Sequence, residues 1–175
     1  MIRDSYIRPA RVDDADSLSH VYVESWRTAY RNIFPQSYLD GLSSGMVART
    51  MRRNLMDTRS LCLTAACSDS LLGYIWAGSR RGNEYIYSAE IYELYLLPEA
   101  QRQGIGRQLL TRMAERLHQA RYYSLMVWVL SRNPSRRFYE KCGGIYLHTK
   151  PIIYAGQRLK ADAYGWIDIT LAMQK

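Results

Sequence analysis

Hydrophobic and polar positions change period several times along this chain, and each change marks an element. Residues Ile2–Arg8 read as a short strand stopped by Pro9. From Asp13 to Ile33, Leu18, Val21, Tyr22, Trp26, Ala29 and Tyr30 recur at three- and four-residue steps, which predicts a helix. Asp13, Asp14 and Asp16 suit its positive N-terminal end. Pro35 breaks the pattern, and Ser37–Leu55 reads as one or two short helices interrupted at Gly41 and Gly45.

The period then shortens. Ser60–Cys67 and Leu71–Ser79 form a predicted hairpin around the turn Ser68-Asp69-Ser70. Arg80–Asn83 turns again, and Tyr85–Leu97 is a third strand ending at Pro98. A helix starts near Gly104, with Ile105, Leu109, Leu110, Met113, Ala114 and Leu117 on one face. The continuous apolar run Tyr122–Leu130 fits a buried strand. Asn133 as N-cap and Pro134 at the first helical position open a short helix that Gly143 closes. Ile145–Tyr154 and Lys160–Met173 supply two last strands around Ala155-Gly156. Strand, helix, strand from Tyr85 to Leu130 is a crossover, so these two strands are predicted to be parallel within a mostly antiparallel sheet. The class is α/β (α+β). With no repeat, low-complexity tract or linker, residues 1–175 read as one domain.

Composition adds little to that picture, but the placement of charge adds more. Hydrophobic residues make up 47% and charged residues 23%, which excludes a disordered or fibrous chain. The net charge is +8 at pH 7, yet residues 1–97 are neutral, and residues 98–137 hold eight Arg against two Glu. A basic block in an otherwise neutral region implies either a local anionic partner (phosphates, nucleic acid, an acidic membrane) or a solvated helix face. Cys62, Cys67 and Cys142 have no paired spacing and read as buried fillers, and the three His lie far apart, so neither a disulfide framework nor a metal site is expected. The first residues carry no apolar signal run, and no stretch is long enough to span a bilayer, so a cytoplasmic protein without a membrane partner is expected.

The segment with the most chemical content follows the third strand. Pro98 ends the strand, Gln101, Arg102 and Gln103 form a loop, and Gly104 and Gly106 open a helix. Glycine lets backbone N–H groups approach a ligand, and a helix N-terminus leaves several of them unpaired, which together make a cradle for phosphate oxygens. Arg102 and Arg107 add charge at its rim. The dinucleotide fingerprint fails because Leu109 stands where a third glycine is needed, and no Walker Lys-Ser/Thr follows.

This segment resembles the pyrophosphate signature of the GNAT superfamily of acetyl-CoA-dependent N-acetyltransferases, Gln/Arg-x-x-Gly-x-Gly/Ala, at Gln101, Gly104 and Gly106. Further on, Asn133-Pro-Ser-Arg-Arg-Phe138-Tyr139-Glu-Lys-Cys-Gly143 resembles the family's second signature, with Cys142 in place of the usual Leu. Val23–Tyr30, Phe34–Leu42 and Tyr164-Gly-Trp166 are similar to one bacterial branch, so the resemblance covers nearly the whole chain. It implies a GNAT fold with one splayed parallel strand pair in a mixed sheet flanked by helices. It also implies acetyl-CoA as cosubstrate and direct attack by a primary amine through a tetrahedral intermediate.

The resemblance assigns roles to residues. The backbone of Leu94, Tyr95 and Leu96 would pair with the pantetheine arm, and Gln101, Arg102, Gln103, Gly104, Ile105, Gly106 and Arg107 would hold the pyrophosphate. Asn133 would contact the cofactor arm. Tyr139 would be the general acid: a phenol near pKa 10 is protonated at neutral pH and is able to donate to a departing thiolate. An ammonium near pKa 10.4 has no lone pair, so a base is also required. Glu90 takes the position of the base in the histone-acetyltransferase branch, Glu93 is the second candidate, and a water relay through Tyr92 is the third. Side-chain alternation puts Glu90 and Glu93 on opposite faces unless a bulge intervenes. Trp26, Tyr30 and Phe34 are expected to pack the first helix, and Met126 and Trp128 to lie in the core. Pairing of two chains through the tail strands is a family habit, so a homodimer is expected. The acceptor is a small-molecule or peptide amine. A catalytically inactive acyl-CoA-binding relative is one alternative. Another is a nucleic-acid-binding module, for which the sequence holds no recognition-helix or zinc signature.

Overall fold

The computed structural model describes residues 5–68, 70–82 and 86–174. Its strands are β1 (Tyr6–Pro9), β2 (Ser60–Cys67), β3 (Ser70–Ser79), β4 (Ala89–Leu96), β5 (Leu125–Leu130), β6 (Ile145–Tyr154) and β7 (Gln157–Trp166). The helices are α1 (Ala15–Ala29), α2 (Gln36–Asp40), α3 (Ser44–Leu55), α4 (Ile105–Gln119) and α5 (Arg136–Lys141). The strands form one sheet in the order β1-β2-β3-β4-β5-β7-β6, antiparallel except for the pair β4–β5. This is the mixed sheet that the crossover pattern predicts.

The periodicities account for most elements. Ile105, Leu109, Leu110, Met113, Ala114 and Leu117 are all essentially buried and seat α4 on one face of the sheet. Each larger side chain there contributes about 1.5–3 kcal/mol. Ala15, Leu18 and Val21 of α1 and Met51 of α3 cover the other face, against Tyr74 and Trp76.

Several expectations shift. Gly45 does not interrupt a helix. It lies inside α3, which Ser43 caps by accepting from the Met46 N–H at 3.4 Å. Asp14 commits its carboxylate to Arg8, at 2.7 and 2.8 Å, and to the Arg11 N–H rather than capping α1. The last strand begins earlier and ends at Trp166. Asp168 then accepts from the Thr170 N–H and starts a 3-10 turn, Ile169–Met173, whose Ile169 and Ala172 are buried in the α4 layer. Residues 2–4 of the first predicted strand, Asp69, Asn83 and Tyr85 lie outside the described residues.

Two features of β4 shape everything near it. Trp76 faces Glu93 while Ala77 faces Ile91, so Tyr92 is an extra residue on β4, a β-bulge. The bulge cancels the alternation and puts Glu90 and Glu93 on the same face, with Gly78 and Trp76. Beyond it, β4 and β5 part company: they pair only at Ala89/Leu125, Glu90/Met126 and Ile91/Val127. β5 meanwhile stays paired with β7 to its end, so the gap opens from Tyr92 onward. β6 is an outer edge of the sheet, and Ile145, Tyr146 and Ile153 on it are exposed. No helix among the described residues is long and apolar enough to cross a membrane.

Candidate active site

The gap between β4 and β5 is a cleft of about 1050 Å³. One end is closed by the N-terminus of α4. Gly104 takes φ +83° there, and a side chain on it would meet nothing within 4 Å, so glycine answers a conformational need. Gly106 serves a different purpose: a Cβ would stand 3.3 Å from Leu96 Cδ1 and 3.4 Å from Phe138 Cε2, so its absence lets α4, β4 and α5 approach closely. Ile105, Gly106 and Arg107 occupy the first turn of α4, whose N–H groups have no partner within the helix. These amides and the helix dipole make an anion site.

The side chains around that turn divide into two sets. Gln101 Nε2 donates to the Leu96 carbonyl at 3.1 Å and Gln103 Nε2 to that of Glu99 at 2.5 Å, so both stabilise the loop. Arg107 donates to the carbonyls of Lys141 and Gln174, which ties α4 to α5 and to the C-terminal turn. Arg102 is exposed, in the left-handed region at φ +61°, and lines the cleft together with Arg137 and Lys141. Arg137 and Lys141 were not singled out from the sequence, although they flank Phe138-Tyr139-Glu140 in the second signature.

Along the β4 edge, Leu94, Tyr95 and Leu96 line the opening beyond the last β4–β5 pair. Ser25 donates to the Leu96 carbonyl at 3.1 Å. On the β5 side, Asn133 is buried and its Oδ1 accepts from the Ser135 N–H at 2.9 Å. It therefore shapes the entry to α5 two residues before the N-cap, which is Ser135 rather than Asn133. Its side chain also reaches the Tyr30 hydroxyl. Gly143 follows α5 at φ +81°, as the helix-end pattern predicts.

Tyr139 is 6% exposed and lines the cleft. Its hydroxyl makes no hydrogen bond to a protein group among the described residues. Burial, and next the neighbouring Tyr30, push its phenol above the usual tyrosine range. It is a protonated donor pointing at no protein acceptor.

The two carboxylates differ sharply. Glu90 is 5% exposed and is held by Arg81, whose backbone N–H donates at 2.8 Å and whose Nη2 donates at 3.2 Å. It does not line the cleft, whereas Glu93 does. Glu93 Oε2 accepts from the Tyr74 hydroxyl at 2.5 Å. Burial raises the Glu93 carboxyl above its ordinary value, against the opposing pull of the Tyr74 hydrogen bond and the Arg81 charge. Tyr92 lines the cleft too, but its hydroxyl donates to the Ser79 carbonyl and the Arg81 guanidinium covers its ring at 3.7 Å. Cys142 also borders the cleft, and burial pushes its thiol up, away from a reactive thiolate.

Opposite α4, the wall is aromatic. Trp26, Tyr30 and Phe34 are buried as packing residues, and they also line the cleft. Trp26 Nε1 donates to the Tyr95 hydroxyl at 3.0 Å, which faces that of Tyr30 at 3.5 Å. Tyr154, at the tip of the β6–β7 hairpin, lies tilted against Trp26 at 5.5 Å and edge-on to Phe34 at 5.7 Å between ring centroids. Nothing local in the sequence marks Tyr154, because the hairpin brings it across from the far edge. Met126 is fully buried as expected; Trp128 is only half-buried and lines the cleft, its indole N–H is unpaired, and the Lys150 ammonium lies 3.5 Å from its ring centroid.

Comparison with known proteins places this geometry. The family model described as "Acetyltransferase (GNAT) family" matches residues 21–144. The chain is 35% identical over 167 residues to the uncharacterized N-acetyltransferase YuaI of Bacillus subtilis (strain 168), covering 94% of each. Among solved structures it is similar to the PaiA N-acetyltransferase of Thermoplasma acidophilum in complex with coenzyme A, with TM-score 0.68, 21% identity, and 91% and 98% of the two chains covered. It is also similar to the ribosomal-protein-alanine N-acetyltransferase of Brucella melitensis, with TM-score 0.73, 21% identity, and 92% and 98% covered. At these identities the solved structures establish a shared fold.

Proposed function

Because this chain belongs to the GNAT acetyltransferase family, we propose that it transfers the acetyl group of acetyl-CoA to a primary amine in the cleft between β4 and β5. The observation that carries the reading is the opening of β4 from β5 directly beside an anion-binding helix N-terminus. The PaiA relative's complex with coenzyme A supports the choice of cosubstrate. The residues fit that group: the first-turn amides of α4 would meet a pyrophosphate, Arg102, Arg137 and Lys141 stand at the rim for phosphate charge, and the β4 edge at Leu94 and Tyr95, which β5 leaves unpaired, would take an extended arm by β-type pairing. Acetyl-CoA supplies the activated thioester carbonyl.

The chain's own groups then divide the proton work. Glu93 takes a proton from the ammonium, directly or through one water, because it faces the cleft while Glu90 is engaged by Arg81. A carboxylate with a raised pKa is a better match to that task than an ordinary one. Tyr139 holds the proton for the departing thiolate, since burial keeps its phenol protonated well past neutral pH. Attack forms the C–N bond and the C–S bond breaks; sulfur takes the Tyr139 proton, the second proton of the nitrogen restores the phenol, Glu93 gives its proton to solvent, and the products are an amide and CoA thiol. Release of CoA thiol that requires both acetyl-CoA and a primary amine tests the reading. Binding of acetyl-CoA with no amine-dependent release would instead favour a non-catalytic acyl-CoA-binding protein.

A further inference from the structure

The aromatic wall and the charge balance of the cleft restrict the amine. Among the described lining residues, Glu93 is the one carboxylate; of the lining cations, Arg102, Arg137 and Lys141 stand at the phosphate rim, Arg107 is tied to backbone carbonyls and Arg81 to Glu90. Glu93 is consumed by the reacting nitrogen. A second or third ammonium on the acceptor therefore meets no anionic side chain in the lining, and a desolvated unpaired charge is costly. The lining on the α1 side is the cluster of Trp26, Phe34 and Tyr154 rings, which favours an apolar or aromatic body. The Tyr154 hydroxyl lies near those of Tyr22 and Tyr38, neutral phenols rather than charged groups.

We infer that the acceptor is a monoamine carrying an aromatic or bulky apolar body, with Tyr154 as a specificity-determining residue, rather than a polyamine or an aminoglycoside. This rests on the acetyl-transfer reading and deepens it. The β6–β7 hairpin is the element that makes the selection, because Tyr154 reaches α1 and the segment around Phe34 from the opposite edge of the sheet.

The test uses the full chain with acetyl-CoA and four probes: 2-phenylethylamine, tryptamine, spermidine and kanamycin. Acetyl-CoA binding is measured separately by calorimetry, so that loss of the cosubstrate site and a wrong acceptor class give different results. The expected outcome is a kcat/KM for the two arylalkylamines at least about tenfold above those for spermidine and kanamycin. Tyr154→Ala is expected to raise KM for 2-phenylethylamine about tenfold and leave acetyl-CoA affinity unchanged, with Tyr154→Phe restoring most of the loss. Preference for spermidine or kanamycin, or no turnover of either arylalkylamine while acetyl-CoA binds, would overturn the inference without touching the family reading. Absence of acetyl-CoA binding would overturn both.

Discussion

On its α4 side the cleft is lined by backbone amides around Gly104 and Gly106, whereas on its α1 side it is lined by the rings of Trp26, Tyr30, Phe34 and Tyr154. In the proposed reaction the first wall would meet what is constant, phosphate and an extended arm, with groups that every residue carries. The second would meet the acceptor, with side chains particular to this sequence. Between the walls stand Glu93 and Tyr139, one from each side of the gap, the two groups proposed to handle the protons. The walls should therefore fail separately, and the proton groups should fail in kcat.

The largest effect is expected at the proton donor. Tyr139→Phe removes a hydroxyl with no protein partner, so the fold keeps its hydrogen bonds while kcat falls about 10²–10⁴-fold. Steady-state kinetics with unchanged melting temperature is the check; a kcat within threefold of wild type would assign the donor elsewhere. A smaller effect is expected on the backbone-built wall. Gly106→Val drives methyl groups into Leu96 and Phe138, and acetyl-CoA KM should rise about tenfold with amine KM unaltered. If amine KM rises as much, the two walls are not independent.

The smallest effect is expected in stability alone. Asp162 is 3% exposed and accepts from Ser131 and Thr149 at 2.6 and 2.7 Å, with Arg136 at 3.5 Å. Burial pushes its carboxyl up, but those hydrogen bonds and the Arg136 charge win and leave it below the ordinary value. Its stabilisation is thus fully present above the unfolded pKa near 3.9 and is lost as pH falls through the lower folded value. Asp162→Asn should lower Tm by about 5 °C at pH 7, and the gap to wild type should narrow as pH falls below the unfolded value near 3.9 and through the lower folded one. A gap that persists in acid would show that the charge is not what matters there.

The contrast between the walls also explains what was legible from sequence. A strand end, a glycine pair and a helix start sit within about ten residues, so the helix N-terminus at the cleft was readable along with the crossover that makes β4 and β5 parallel. The paired signature at Asn133–Gly143 placed Tyr139 for the same reason. The aromatic wall draws on α1, the segment around Phe34 and the β6–β7 tip, more than a hundred residues apart, and Tyr154 carried no local mark. Glu93 was one of two carboxylates that alternation separated. Only the bulge at Tyr92 sets them on one face, and only the Arg81 pairing tells them apart. Sheet register and tertiary ion pairing are not encoded in spacing along one strand.

Glu93, facing the cleft, is proposed to accept the amine proton while Glu90 holds Arg81. The pH dependence of kcat/KM, measured on wild type, Glu93→Gln and Glu90→Gln with one amine, tests it most directly. Glu93 must be ionised to act, so wild-type activity should rise with pH through its raised pKa, apart from the slope contributed by the amine's own titration. Glu93→Gln should lose that acidic step and about 10²-fold in kcat/KM at neutral pH, while Glu90→Gln keeps the step. An acidic step that survives in Glu93→Gln and disappears in Glu90→Gln would contradict the account.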